Sequence, residues 1–173
     1  MTGIDLIPTA LDEMKKQFGP DENDWTQEKD NANGMVVWKH ISGRAHFMLG
    51  NVFTPVAKLA NTFDVVYDKD SFGAIQKETR SVFCSRLAEY LKDDGIVYTE
   101  VKFKNDDHPK RFDGPPFHID KADLIEEANF GKSFEYIESL GEVYEFYKGS
   151  EKPKAKQMGH VLKRVTRTDG ENN

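Results

Sequence analysis

Apolar positions along this chain switch repeatedly between a spacing of two and a spacing near 3.6, the periods of strand and helix. The first switch comes at once. Residues 4–7 read as a short apolar strand broken by Asp5, and Leu11, Met14 and Phe18 then fall on one helical face. Thr9 stands where a helix cap is expected, with Asp12 at the capping-box position, and Gly19-Pro20 ends the pattern. The stretch DENDWTQEKDNANG is polar and turn-rich, so it reads as a loop. Residues 35–38 and 45–49 follow as a hairpin turning at Ser42-Gly43.

Residues 63–67 predict the next strand, apolar enough to be covered on both faces. From 77 to 91 the period is helical, with Phe83, Leu87, Tyr90 and Leu91 on one face and Gly95 as the stop. GIVYTEVKF is a strand. NDDHPKRFDGPPFHID cannot be helical, because Pro115 and Pro116 remove donors and bias Gly114 away from the helical region. Asp120 is placed to cap a short helix, KADLIEEANF, and FEYIESLGEVYEFY and GHVLKRVT read as a closing pair of strands. Residues 168–173 read as a disordered tail. Strands alternating with helices predict an α/β protein, a single domain over 1–173 whose sheet is mostly parallel with an antiparallel C-terminal pair. In such sheets the ligand lies over the carboxyl ends of the strands.

The charge balance narrows the function. A net charge of -6 argues against a general nucleic-acid binder, which carries a basic stripe. The 24 basic residues are scattered apart from Lys152, Lys154, Lys156, Lys163, Arg164 and Arg167, read as a solvated tail and edge strand. The single cysteine, Cys84, rules out an internal disulfide and falls among apolar helical positions, as a buried inert thiol would. No apolar run approaches the roughly 20 residues of a membrane span. The N-terminus meets acids early and lacks a basic leader segment, so a cytoplasmic location is expected.

The candidate chemistry sits at the strand ends. Asp5, just ahead of a helix, could accept hydrogen bonds from both hydroxyls of a ribose or could instead support the helix N-terminus. GNVF at 50–53 offers a small residue and an amide suited to a purine edge, or forms a plain turn. Lys69 after Asp68 could present a cation to a carboxylate-bearing ligand or an electron-rich substrate, or make a surface ion pair. His46, His108 and His118 lie on different elements without metal-ligand spacing, so no metal site is expected.

Two longer stretches say more than composition does. FDVVYDKDSFGAIQKETRSVFCSRLAEYLKDDGIVYTEVKF, followed by GPPFHIDKADLIEEANF, resembles the thiopurine S-methyltransferase family, and GIDLIPTALDEM resembles that family's second strand. The resemblance runs from residue 3 to about 166 and implies a Rossmann-like class I methyltransferase sheet with S-adenosylmethionine as cofactor. It implies that Asp5 holds the ribose hydroxyls and that Asn51 and Val52 lie against the adenine. Lys69 takes the place of the family's arginine beside cofactor and substrate, and is the catalytic candidate. Pro115, Pro116 and Phe117 would wall the methyl acceptor, a small molecule and most simply a thiol or heterocyclic thiol. Such an acceptor, partly ionised near neutrality, needs little from a dedicated base, so alignment and exclusion of water carry the reaction.

Two departures from the family pattern matter. Lys69 keeps the charge of the arginine but loses its planar fork. The family's first strand and glycine-rich turn have no counterpart before Gly3, so an N-terminally incomplete sheet is expected, with reduced or absent activity and with self-association through unpaired edges. The alternative on this reading is a truncated, non-catalytic homologue that acts as a binding or regulatory chain. A nucleotide-dependent oxidoreductase shares the logic of Asp5 but gains nothing from the Gly-Pro-Pro-Phe loop.

Overall fold

The computed structural model describes residues 1–144 and 155–166. The expected tail at 168–173, the end of the first closing strand at 145–147, and Lys152, Lys154 and Arg167 of the basic cluster lie outside the described residues. The chain divides into two compact units, Met1–Ala57 and Lys58–Asn173.

The first unit holds β1 (Thr2–Asp5), α1 (Pro8–Phe18), β2 (Trp25–Lys29), β3 (Val36–His40) and β4 (His46–Leu49), in a sheet of order β1-β4-β3-β2. β1 ends at Asp5, two residues before the end of the expected strand, because Pro8 opens the helix at its first position and Ile7 becomes the N-cap. Ile7 has no side-chain cap to offer, so the expected Thr9–Asp12 capping box does not form. β2 is a strand where a polar loop was expected. Trp25 is half-buried and the four residues after it are exposed, so the strand carries no apolar alternation to betray it. It is held by its antiparallel ladder to β3, from Trp25 opposite His40 to Lys29 opposite Val36. The β3–β4 hairpin is as expected, with Gly43 at φ +70°, a conformation glycine adopts without penalty. Leu11, Ala45 and Phe47 form the core of this unit, flanked by Phe18, Trp25, Trp38 and Leu49.

The second unit contains β5 (Phe63–Lys69), α2 (Ser71–Ala74), α3 (Lys77–Tyr90), β6 (Leu91–Lys104), α4 (Lys121–Ile125), β7 (Phe134–Tyr144) and β8 (Ala155–Arg164). Its sheet order is β5-β6-β8-β7. α3 packs on β6 and buries Phe83, Cys84 and Leu87, while Val97 and Val101 alternate inward from the strand. Two expectations change here. β5 is not covered on both faces: Val65 and Tyr67 are 59% and 58% exposed, and the opposite face buries Asp68. An apolar run records composition and not burial, which is why the sequence misleads at this point. α3 stops at Tyr90, well before Gly95, because Leu91 turns extended and pairs with Phe63. The ladder then resumes at Val65 opposite Ile96, and the intervening residues bulge with Asp94 at φ +62°.

The α/β class holds, and both sheets are mixed. β1–β4 and β5–β6 are parallel; β2–β3, β3–β4, β6–β8 and β7–β8 are antiparallel. The closing antiparallel pair is as expected, and the parallel share is smaller than the sequence suggests.

Candidate active site

In the first unit the parallel strands β1 and β4 end together. The Gly50 N–H donates to the Asp5 carbonyl at 2.9 Å, which sets residues 50–52 beside the Asp5 backbone. Asp5 Oδ1 accepts from the Ile7 N–H at 2.7 Å, turning the chain into α1. The helix-supporting role considered for this carboxylate is therefore present. It uses one of about four lone-pair positions on the group. Asn51 makes a turn of its own: Oδ1 accepts from the Phe53 N–H at 2.9 Å, and its carbonyl accepts from the Thr54 N–H at 2.9 Å. Its carboxamide NH2 group is the remaining donor, and Asn51 is exposed with Val52 half-buried beside it.

In the second unit the carboxyl end of β5 is built on Asp68. That side chain is 4% exposed and accepts from Thr99 Oγ1 at 2.9 Å and from the Ser71 and Phe72 N–H groups at 3.1 and 3.3 Å. Burial raises its pKa, and these hydrogen bonds work in the opposite direction. Asp68 thus anchors the turn after the strand, and Lys69 beside it is exposed. Asp70 follows in the left-handed region at φ +62° and accepts from Gln157 Nε2 at 2.9 Å. The stacked rings of Tyr67 and Tyr98 lie 5.5 Å apart, and both hydroxyls donate to Glu100 Oε1, at 3.1 and 2.9 Å.

The Gly-Pro-Pro-Phe loop is fastened at its carboxyl side to two elements. The Phe117 N–H donates to the Gly73 carbonyl at 2.7 Å, and the Ile119 N–H donates to the Lys102 carbonyl at 2.9 Å. The guanidinium of buried Arg80 lies 4.9 Å from the Phe72 ring centre and 5.6 Å from that of Phe117. Pro115 and Pro116 are exposed and wall a cleft of about 410 Å³ with Lys102, Lys104, His108 and Lys110. Within the first unit, then, Gly50 is bonded to Asp5, and Asn51 and Val52 follow it in the chain. Within the second, Pro115 and Pro116 line the cleft while the Phe117 ring lies against Arg80, and Lys69 is close enough to disfavour the charge on the nearby Lys102.

Sequence reasoning missed Lys102, Lys104 and Arg80. Lys102 and Lys104 do carry a signal: they alternate with Val101 and Phe103 at the end of a strand, which places both cations on one face. His118, next to the wall, accepts the Lys104 N–H on Nδ1 at 2.9 Å. Burial and then the Arg111 guanidinium hold it below the ordinary histidine value. Among the described residues there is no grouping of His, Cys, Asp and Glu suited to a metal ion, and no helix is long and apolar enough to cross a membrane.

This architecture is that of known methyltransferases. The chain resembles an S-adenosylmethionine-dependent methyltransferase from Methanosarcina mazei, with a TM-score of 0.61 and 15% identity over 96% of this chain and 82% of that one. It resembles the N-methyltransferase NodS from Bradyrhizobium japonicum, with a TM-score of 0.59 and 10% identity over 95% and 73% of the two chains. A third relative in fold is the 1,6-didemethyltoxoflavin-N1-methyltransferase of Burkholderia thailandensis, solved with its substrate and S-adenosylhomocysteine bound. There the TM-score is 0.56 and the identity 15%, over 95% of this chain and 61% of that one. No curated protein sequence matches the chain. The family model for thiopurine S-methyltransferase (TPMT) matches residues 1–167, and the chain belongs to that family of S-adenosylmethionine-dependent methyltransferases.

Proposed function

We propose that this chain transfers a methyl group from S-adenosylmethionine to the sulfur of a small thiol or heterocyclic thiol. The observation that carries the reading is the family match over residues 1–167. The residues present suit the cofactor chemically. Asp5 retains acceptor capacity beyond its bond to Ile7, as two vicinal ribose hydroxyls require, and the Asn51 NH2 is a donor suited to a ring nitrogen. When bound, S-adenosylmethionine supplies an electrophilic methyl carbon on a sulfonium.

The residues of the chain divide the remaining work. Asp5 holds the sugar, and Asn51 and Val52 hold the base. In the second unit the exposed Lys69 ammonium favours the acceptor as its thiolate, so that a lone pair on sulfur is available and the thiol proton passes to solvent. Pro115, Pro116 and Phe117 hold the acceptor ring and exclude water from it. This division needs no histidine base. It needs the acceptor held in a fixed pose, which the two fastenings of the proline loop favour.

The test is an incubation with isotopically methyl-labelled S-adenosylmethionine and 6-mercaptopurine, with thiophenol and aniline as comparison acceptors. Label in the S-methyl products and none in methylated aniline supports the reading; label in the amine alone, or none anywhere, contradicts it.

A further inference from the structure

The acceptor wall and a group of cations share one cleft, entirely within the second unit. Its floor is the end of β6, where Lys102 and Lys104 project from the same face. Lys104 is 6% exposed, and its ammonium donates to the carbonyls of Lys110 and Asp113 at 2.8 and 2.6 Å. That locks one positive charge into the cleft at a fixed place. Lys110 and His108 stand on the same cleft, and the His108 Nδ1 accepts the Lys110 N–H at 3.0 Å, fixing the turn between them. The exposed rings of Pro115 and Pro116 line the same cleft.

Three lysines on one cleft repel each other. Burial and neighbouring lysines together lower the affinity of both Lys102 and Lys104 for their protons. Asp113 lines the same cleft, and Asp70 acts on Lys102, so two carboxylates offset part of this charge. Among the described residues the balance in the cleft is cationic, and an arrangement that sets like charges together is relieved by an anion. A volume of about 410 Å³ admits a single-ring or double-ring ligand. Exposed proline rings and ammonium groups lining one cleft call for a flat ring carrying a negative group.

We infer that the methyl acceptor is an anionic heterocycle, a thiol-bearing ring with a carboxylate, whose ring lies on Pro115 and Pro116 and whose carboxylate is held by Lys102 and Lys110. The inference rests on the methyl-transfer reading above and narrows its substrate class. Lys102 and Lys110 act here as specificity residues: they select the acceptor and take no part in the displacement.

Binding and transfer are measured separately, so the two readings fail separately. The probes are 2-mercaptonicotinate and its uncharged counterpart 2-mercaptopyridine, titrated calorimetrically into the full chain. The carboxylate probe is expected to bind about tenfold more tightly, with the preference shrinking as salt is added. In the double variant Lys102→Met, Lys110→Met the preference falls to near one, and in Lys102→Arg, Lys110→Arg it is retained. Lys104 is left in place because its ammonium pins two carbonyls. Equal binding of the two probes, or a preference that survives the methionine variant, overturns the inference. A preference that vanishes in that variant while neither probe is methylated supports the anion subsite and contradicts methyl transfer to thiols.

Discussion

Phe117 is tied to Gly73: its backbone N–H donates to the glycine carbonyl at 2.7 Å, joining the proline loop to the short helix after β5. The proline loop is thereby fixed to the short helix that follows Lys69. Asp68 holds the start of that helix to β6 through Thr99. Asp68 is the support, and its neighbour Lys69 is the candidate for chemistry.

Asp68→Ala removes an acceptor from one buried hydroxyl and two backbone amides, that of Phe72 buried and that of Ser71 partly so. The expected cost is about 2–3 kcal/mol of stability in urea unfolding, the order associated with stranded buried donors. Asp68→Asn keeps one oxygen and should lose less. Equal stability of wild type and the alanine variant would remove Asp68 as the anchor of the turn.

Arg80 stacks on both Phe72 and Phe117 and so couples the helix α3 to the acceptor wall. Arg80→Met preserves the apolar stem but loses the cation–π contacts, at a cost of about 1–2 kcal/mol. KM for the thiol acceptor should rise severalfold while S-adenosylmethionine binds as before. An unchanged KM would show that the ring of Phe117 is held by its backbone bond alone.

Lys69→Met tests the division of labour at the end of β5. Turnover with a thiol acceptor should fall by about tenfold or more, the scale of a single positioned charge, with little change in cofactor affinity. A loss of cofactor affinity as large as the loss of turnover would assign Lys69 to the cofactor instead.

The pair Tyr136 and His160 predicts a pH dependence of stability. The tyrosine hydroxyl lies 2.9 Å from His160 Nδ1, and the ring is 5% exposed. Burial first, then the Lys121 ammonium, holds its pKa below the ordinary 6.5. The unfolded chain therefore binds a proton that the folded chain resists, and stability falls with falling pH. The contribution is complete above about pH 6.5 and is lost as pH drops through that value toward the lower folded pKa. His118 acts in the same direction, its charged form also disfavoured by burial. Thermal unfolding of His160→Gln between pH 8 and pH 5 should show a shallower slope than wild type; an equal slope would contradict a buried neutral imidazole.

What the sequence made legible followed strong local signals. The period-3.6 faces of α1 and α3, the Ser42-Gly43 hairpin and the Asp120 cap are all present, the last as a full capping box with Asp123. β2 was invisible because its exposed polar residues are held by cross-strand backbone bonds, which leave no side-chain pattern. The end of α3 was misplaced for a related reason: the pairing of Leu91 with Phe63 is a long-range event that overrides a glycine four residues on. At the site, the strand-end rule brought attention to Asp5, residues 50–53, Lys69 and the proline loop. It passed over Lys102 and Lys104, whose significance depends on a cleft that only folding creates.

The most direct measurement is a calorimetric titration of the full chain with S-adenosylhomocysteine, repeated on Asp5→Asn. Asparagine keeps the oxygen that accepts from Ile7, so the start of α1 is preserved while the carboxylate is lost. The account predicts saturable binding to the wild type, weakened about tenfold in the variant, in line with the loss of a charge-assisted hydrogen bond. No heat of binding at millimolar ligand, or equal affinity of the two proteins, would contradict it.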